Sequence, residues 1–212
     1  MNLIKPSWQI ESRLERDTIL SNLERYGRTC YKSEDKITDK SASKFCRMIL
    51  TRNHLSVIEH ESMTVRFICD RGVTHELVRH RLASFSQEST RYCNYSGGVM
   101  FVIPPWVDMQ PGEYYTIPVG LSPLASREWF HAVHQSESLY QRLLHEGWSP
   151  QQARSVLPNS LKTEIVVTAN LREWGHIFRM RCDKSAHPQM QELMIPLRDH
   201  VSNILPELFP LE

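Results

Sequence analysis

Fourteen consecutive residues, Arg79 to Tyr92, carry the densest chemistry in the chain: Arg79, His80, Arg81 and Arg91 can be cationic, and Ser84, Ser86, Ser89 and Thr90 bear hydroxyls. Guanidinium groups beside short hydroxyl donors suit the oxygens of a nucleotide phosphate. Just upstream, Gly72 to Val78 reads as a helix start with Thr74 as N-cap. If that helix runs through Arg81, side chains about 100° apart point Arg79 and Arg81 nearly opposite ways. The triplet is then a solvated helix face, or it serves two anionic ligands side by side, or one ligand shared across a subunit boundary. The residues from Ser84 to Thr90 read as a polar loop.

A second group lies in Asn170-Leu171-Arg172-Glu173-Trp174-Gly175-His176, followed by Arg181. On a helix Arg172 and His176 share a face, while Arg181 lies about 180° round from Arg172. The same spacing also describes an exposed amphipathic helix. Arg154 follows the capping box Ser149-Pro150-Gln151-Gln152 on a short helix, where a lone arginine is a surface residue or an anion ligand. His75 and His80 are five apart, not the four that a zinc protease helix requires, and Arg79 occupies the position a ligand would need. No metal site is expected.

Arg79-His80-Arg81, two residues, Ser84, four residues, Ser89, one residue, Arg91 resembles the signature of the flavin-dependent thymidylate synthases at every fixed position. Three further stretches are similar to that family: His54-x-Ser56-x-x-Glu59-His60, Ala153-Arg154-x-x-Leu157-Pro158, and Asn170-x-Arg172 with His176 and Arg181. The resemblance implies reductive methylation of dUMP to dTMP. Methylenetetrahydrofolate would supply the carbon, and NADPH the reducing equivalents through FAD. It implies that His54, Ser56, Arg79, His80, Arg81, Gln87, Asn170, Arg172 and His176 hold the flavin. Glu76, Arg79, Gln87, Glu88, Ser89, Thr90, Arg91 and Arg154 would hold the nucleotide, with Arg181 against the uracil ring as the catalytic group. The chain departs from the family at Glu76, where glutamine is common, and at Gln87, where some members carry glutamate. The family is homotetrameric, which implies shared active sites.

The elements that would position these groups follow from periodicity. Arg13–Tyr26 and Lys40–Arg52 read as amphipathic helices, with a polar loop over 53–60. Residues 61–69 alternate as a half-buried strand, and 161–169 read as a centrally buried one. Val99–Ile103 reads as a short strand, 108–123 as irregular, Ser122-Pro123 as the opening of a long helix ended by Gly147, and His187 as the start of a last helix that Pro196 should kink. The expected fold is α/β in the broad, α+β sense: helices on a small mixed sheet in one domain, residues 1–212. With eight glycines and no G-x-G-x-x-G, any flavin would not lie on a Rossmann turn.

The formal charge of +1, from 25 basic against 24 acidic side chains, argues against a nucleic-acid coat. No apolar run reaches the roughly 20 residues a membrane span needs. The five cysteines are odd in number and widely spaced, so reduced thiols in a cytoplasmic protein are expected. Two other functions share these residues. A nucleotide- or RNA-binding module would be colourless, and a flavin reductase would not release the C5 hydrogen of dUMP.

Overall fold

The computed structural model describes residues 1–211. Strands β1 (Asn2–Ile4) and β2 (Ser7–Ile10) precede helices α1 (Arg16–Thr29) and α2 (Ser41–Thr51). Strand β3 (Ser62–Asp70) leads into α3 (Arg71–Leu77), β4 (Ala83–Gln87), β5 (Met100–Val102) and β6 (Gly112–Glu113). Then follow α4 (Leu124–His145), α5 (Pro150–Ala153), β7 (Lys162–Asn170), α6 (Leu171–Arg181) and α7 (Pro188–Ile204). The class is the expected α+β, with two small sheets. One has the order β5-β1-β6, parallel to β5 (Leu3 opposite Phe101) and antiparallel to β6; the other has the order β2-β3-β7-β4.

The chain forms two compact units. One comprises Met1–Ser7, Phe67–Arg79 and Phe85–Val166; the other comprises Trp8–Arg66, His80–Ser84 and the chain from Val167 on.

In the first unit, Leu3, Phe101, Ile103, Phe130, Val133, Tyr140 and Leu161 form the core. Removing such side chains from water is the main favourable term, worth roughly 1.5–3 kcal/mol for each large one. Helix α4 supplies Phe130, Val133 and Tyr140 from one face, as the spacing predicts. It stops at Gly147, whose φ of +90° lies where residues with a Cβ are strained.

In the second unit, α1 buries Ile19, Leu20 and Leu23, and α2 buries Phe45, Cys46 and Ile49. A Cβ at Gly27 would meet the Phe45 ring at 2.6 Å, so this close helix approach needs glycine. Trp174 in α6 donates its indole N–H to the Met63 carbonyl at 2.9 Å, anchoring the helix to β3. Met190 and Met194 in α7 are fully buried core residues, and the helix continues through the exposed Pro196.

Five local expectations are corrected. Helix α3 starts one turn earlier, because Asp70, not Thr74, caps it by accepting from the Val73 N–H at 2.8 Å. It also ends at Leu77, so Arg79, His80 and Arg81 follow the helix rather than lie along it, and their opposed helical directions do not arise. The serine-rich stretch expected as loop is strand β4 over Ala83–Gln87, with Ala83, Phe85 and Gln87 half-buried and Ser84 and Ser86 exposed. The expected loop over 53–60 contains a 3₁₀ turn, Leu55–His60, entered through Asn53 at φ +56°. Finally, β7 is central as expected but alternates: Thr163, Ile165, Val167 and Ala169 are buried and their neighbours half-buried.

The second unit is closed by Glu207, whose carboxylate is 1% exposed and accepts from Arg16 Nε at 3.2 Å and from Ser43 at 2.8 Å. Burial opposes its ionisation, but the hydrogen bonds from Arg16 and Ser43 outweigh this and hold it down at about 2. Because the folded carboxyl is depressed, its contribution to stability is complete above pH 4.5 and is lost as pH falls toward 2. Glu207→Gln should lower stability at pH 7 by about 2 kcal/mol, less than a fully buried pair because Arg16 is partly exposed. Urea unfolding measures this, and an unchanged midpoint would show that the pair contributes nothing.

Candidate active site

The candidate residues fall into two groups, one in each unit. The first surrounds the end of β4. Gln87, half-buried at the last position of the strand, donates its amide to Thr74 Oγ1 at 2.9 Å and to Thr163 Oγ1 at 3.3 Å. Thr74 is completely buried and in turn donates to the Arg71 carbonyl at 3.0 Å. Three elements (α3, β4 and β7) are thus pinned by one side-chain amide.

Beyond Gln87 the chain turns. Thr90 is buried and accepts from Arg154 Nη1 at 3.0 Å, which brings the Ala-Arg-x-x-Leu-Pro arginine against the signature segment. Arg91 is exposed, donates its Nε to Gln151 on α5 at 3.2 Å, and donates its backbone N–H to Ser89 Oγ at 3.3 Å. The capping box is formed: the Ser149 N–H donates to Gln152 Oε1 at 2.9 Å, which fixes α5 and so sets where Arg154 emerges. Arg79 is exposed and spends only its Nε, on the His75 carbonyl at 3.3 Å. Among the described residues, Arg79, Arg91 and Arg154 have no carboxylate partner. Uncompensated guanidinium groups with neighbouring hydroxyls form an anion-binding arrangement.

Glu88 is where a negative charge would be most disruptive, and it is neutralised locally. Its carboxylate accepts from Lys162 Nζ at 3.0 Å and from the Tyr95 hydroxyl at 2.7 Å, and its N–H goes to the Glu164 carbonyl at 2.9 Å. Burial and the bond to Glu88 push the Tyr95 phenol up, so it stays a donor. Glu76 is half-buried on α3.

The second group is built on α6 and the turn after α3. Asn170 caps α6, accepting from the Glu173 N–H at 2.8 Å, and so aims the helix that carries Arg172, His176 and Arg181. Arg181, in the last position of α6, donates Nε to His80 Nε2 at 3.0 Å. His80 is 4% exposed; burial first, then the nearby Arg181 and His176, push it down to about 4. A neutral ring with an accepting Nε2 must carry its proton on Nδ1. That nitrogen lies 3.6 Å from the buried Glu173 carboxylate, and the His176 ring packs edge-on at 5.8 Å.

Arg172 and His176 are both exposed on one helical face, as their spacing predicts, and Arg172 pairs with Glu59 of the 3₁₀ turn. That pair ties His54, at the N-cap of the turn, and the exposed Ser56 to α6. Arg81 is exposed and has no carboxylate partner among the described residues.

His80, Glu173 and His176 place metal-capable atoms within 4.8 Å of one another. Arg181 occupies the Nε2 side of His80, and its charge opposes a second cation there. Sequence reasoning missed Glu173, Lys162, Tyr95 and Thr163 as supports of the site, whereas Glu59 lies in the family-like stretch over 54–60 and reads there as structural. An acidic residue at the first turn of α6 is itself a signal, since it complements the helix dipole. Lys162 and Thr163 are brought close by pairings more than fifty residues long that no local pattern announces, and Tyr95 by a hydrogen bond to Glu88, seven residues away.

Comparison with known proteins places the chain. The family model described as thymidylate synthase complementing protein matches residues 16–207. The flavin-dependent thymidylate synthase of Corynebacterium diphtheriae is 32% identical over 208 residues, covering 95% of this chain and 81% of that one. That of Geobacter sulfurreducens is 32% identical over 191 residues, covering 86% and 77%. The fold is shared with a UMP/dUMP methylase, PolB from Streptomyces cacaoi, solved with 5-Br dUMP: TM-score 0.77, 24% identity, 99% of this chain and 95% of that one. With matched residues running through both units and both candidate groups, the chain belongs to the flavin-dependent thymidylate synthase family, a family of methyltransferase enzymes.

Proposed function

We propose that the protein methylates dUMP reductively to dTMP, with methylenetetrahydrofolate as carbon donor and NADPH as reductant, through bound FAD. The observation that carries this is the hydrogen bond from Arg181 to His80, at 3.0 Å, in a chain of this family. It joins the signature histidine to the arginine that the uracil ring would need.

The donor set fits a flavin dinucleotide. Arg81, Arg172 and His176 are exposed cationic or donor groups, and His54 and Ser56 lie on the turn that Arg172 fastens. Arg79, His80, Gln87 and Asn170 complete the set we assign to the cofactor. Flavin, when bound, supplies the hydride capacity that no side chain has. Phosphate and sugar of dUMP would be taken by Arg79, Arg91, Arg154, Ser89 and Thr90. Glu76, Gln87 and Glu88 support that group, Glu88 by holding Lys162 and Tyr95 in place.

Arg181 would stand against the uracil carbonyl and ring nitrogen. A fixed cation there favours the ring anion and raises electron density on the carbon to be methylated. His80 serves this by being neutral: a protonated imidazole could not accept from Arg181 and would repel it. A homotetramer with shared sites completes the proposal.

Purified protein should be yellow. It should oxidise NADPH only when dUMP and methylenetetrahydrofolate are both present, and release the C5 hydrogen of dUMP. Colourless protein, or oxidation that ignores dUMP, would reject the assignment. Arg181→Ala should keep the flavin and lose at least about a hundredfold in kcat; wild-type turnover in that variant would remove Arg181 from the chemistry. Arg172→Ala should weaken flavin retention more than dUMP affinity, which titration of each ligand measures.

His80 yields a pH prediction. Its folded pKa of about 4 lies below the ordinary 6.5, so the unfolded chain binds the proton first and stability falls as pH drops from 6.5 to 4. In urea unfolding, His80→Asn should flatten this slope, and an identical slope would show that His80 titrates normally.

A further inference from the structure

Arg71 is the first residue of α3, in the first unit, and its backbone is fixed on both sides. The N–H donates to the Asn159 carbonyl at 2.9 Å. The carbonyl accepts from Thr74 Oγ1 at 3.0 Å, the same hydroxyl that receives the Gln87 amide. The side chain has no such tie. Nη1 is enclosed by protein, yet the guanidinium makes neither a hydrogen bond nor an ion pair among the described residues. No other arginine among them leaves an enclosed nitrogen without a partner.

A buried donor without an acceptor is costly, and a buried cation without one is costlier, so such groups are nearly always paired. Arg79, Arg91 and Arg154 are exposed and can be served by water, whereas Arg71 is half-buried. The acids nearest to it are engaged. Asp70, one residue before, accepts from the Val73 N–H at 2.8 Å, and Glu88 accepts from Lys162 and from the Tyr95 hydroxyl. The charge of Arg71 reaches the Tyr95 phenol and opposes the upward push of burial and Glu88. The guanidinium therefore lies close to the Tyr95–Glu88 pair without belonging to it. Arg71 is joined to Gln87 through Thr74 and stands near Glu88 through Tyr95, beside the segment that presents Ser89, Thr90 and Arg91.

The other arginines of this group hold bonds of their own: Arg79 to the His75 carbonyl, Arg91 to Gln151 and Arg154 to Thr90. Arg71 has none to lose. Turning it toward an anion frees an unsatisfied nitrogen and forms charge-assisted bonds at no expense to the fold.

We propose that Arg71 is a further ligand of the nucleotide and that it takes the phosphate monoester dianion. This rests on the function proposed above. Phosphate is the part of dUMP that offers several anionic oxygens to one guanidinium, and the uracil ring is assigned to Arg181 in the other unit.

Calorimetry on the flavin-loaded full chain tests this, with dUMP, deoxyuridine and inorganic phosphate titrated into wild type, Arg71→Met and Arg71→Lys. Methionine keeps much of the side-chain volume, and the backbone bonds of residue 71 do not depend on its side chain. In Arg71→Met, affinity for dUMP should fall about tenfold to a hundredfold while that for deoxyuridine stays unchanged, and Arg71→Lys should recover part of the loss. The ligand-free Tm of Arg71→Met should equal or exceed that of wild type, because an unpaired enclosed cation has been removed. A structural arginine would show the reverse, a lowered Tm with unchanged dUMP affinity, and that result overturns the proposal. Equal losses for dUMP and deoxyuridine overturn the assignment to phosphate. Wild type that binds inorganic phosphate through Arg71 but does not bind dUMP would reject the proposed function and leave the anion site standing.

Discussion

A buried imidazole that must accept a hydrogen bond from a guanidinium cannot also be charged, and the second unit is arranged around that constraint. Its elements converge on His80: the turn after α3 places the ring, α6 brings Arg181 to its Nε2, and Glu173 stands opposite its Nδ1. Burial, with the two neighbouring cationic or ionisable groups, keeps the proton off Nε2. Arg181 gains a fixed acceptor in the neutral ring. A carboxylate in the place of that ring would hold the arginine more tightly but weaken the field that its proposed role requires.

The same division of labour runs through the first unit. Carboxylates that could quench the arginines are engaged elsewhere: Glu88 by Lys162 and Tyr95, and Glu164 by the same lysine. The pairing is local and partly buried, so it survives salt better than an exposed pair. Arg79, Arg91 and Arg154 keep their charge because the acids beside them are already satisfied. In the second unit Arg172 is the contrary case, since its bond to Glu59 fastens the His54 turn to α6 at the expense of free charge.

Much of this was legible in the residues, and the exceptions share a cause. Strand β3 and helices α1, α2, α4 and α6 follow their hydrophobic periods, which neighbours reinforce rather than oppose. Strand β4 escaped notice because Ser84 and Ser86 look like loop, yet alternation with Ala83, Phe85 and Gln87 is what an edge position of the sheet needs. The end of α3 was misplaced because no glycine or proline marks it. Asp70, hidden at the end of a strand pattern, sets its start. The signature located both candidate groups, but not their supports. Lys162, Tyr95 and Glu173 are ordinary residues in sequence and acquire meaning only from what folds against them.

The cysteines bear on how a pyrimidine could be activated here. A thiol attacks as its thiolate, so a nucleophile needs a lowered pKa and access. Burial drives Cys46 up to about 12 and Cys182 up to about 11, and pushes Cys69 up as well, with Asp70 beside it adding to the effect. Those three are therefore inert near neutrality. Cys30 is exposed in the segment after α1, away from the signature in sequence. Cys93 follows Tyr92, is half-buried, and gives its N–H to the Ser89 carbonyl at 2.9 Å, so it serves the turn that presents Ser89 and Arg91. None of the five has a guanidinium hydrogen-bonded to its sulfur among the contacts described. The cations of this chain are grouped instead around oxygen and nitrogen acceptors. That distribution supports the proposed role of Arg181, in which the ring is charged rather than bonded to sulfur.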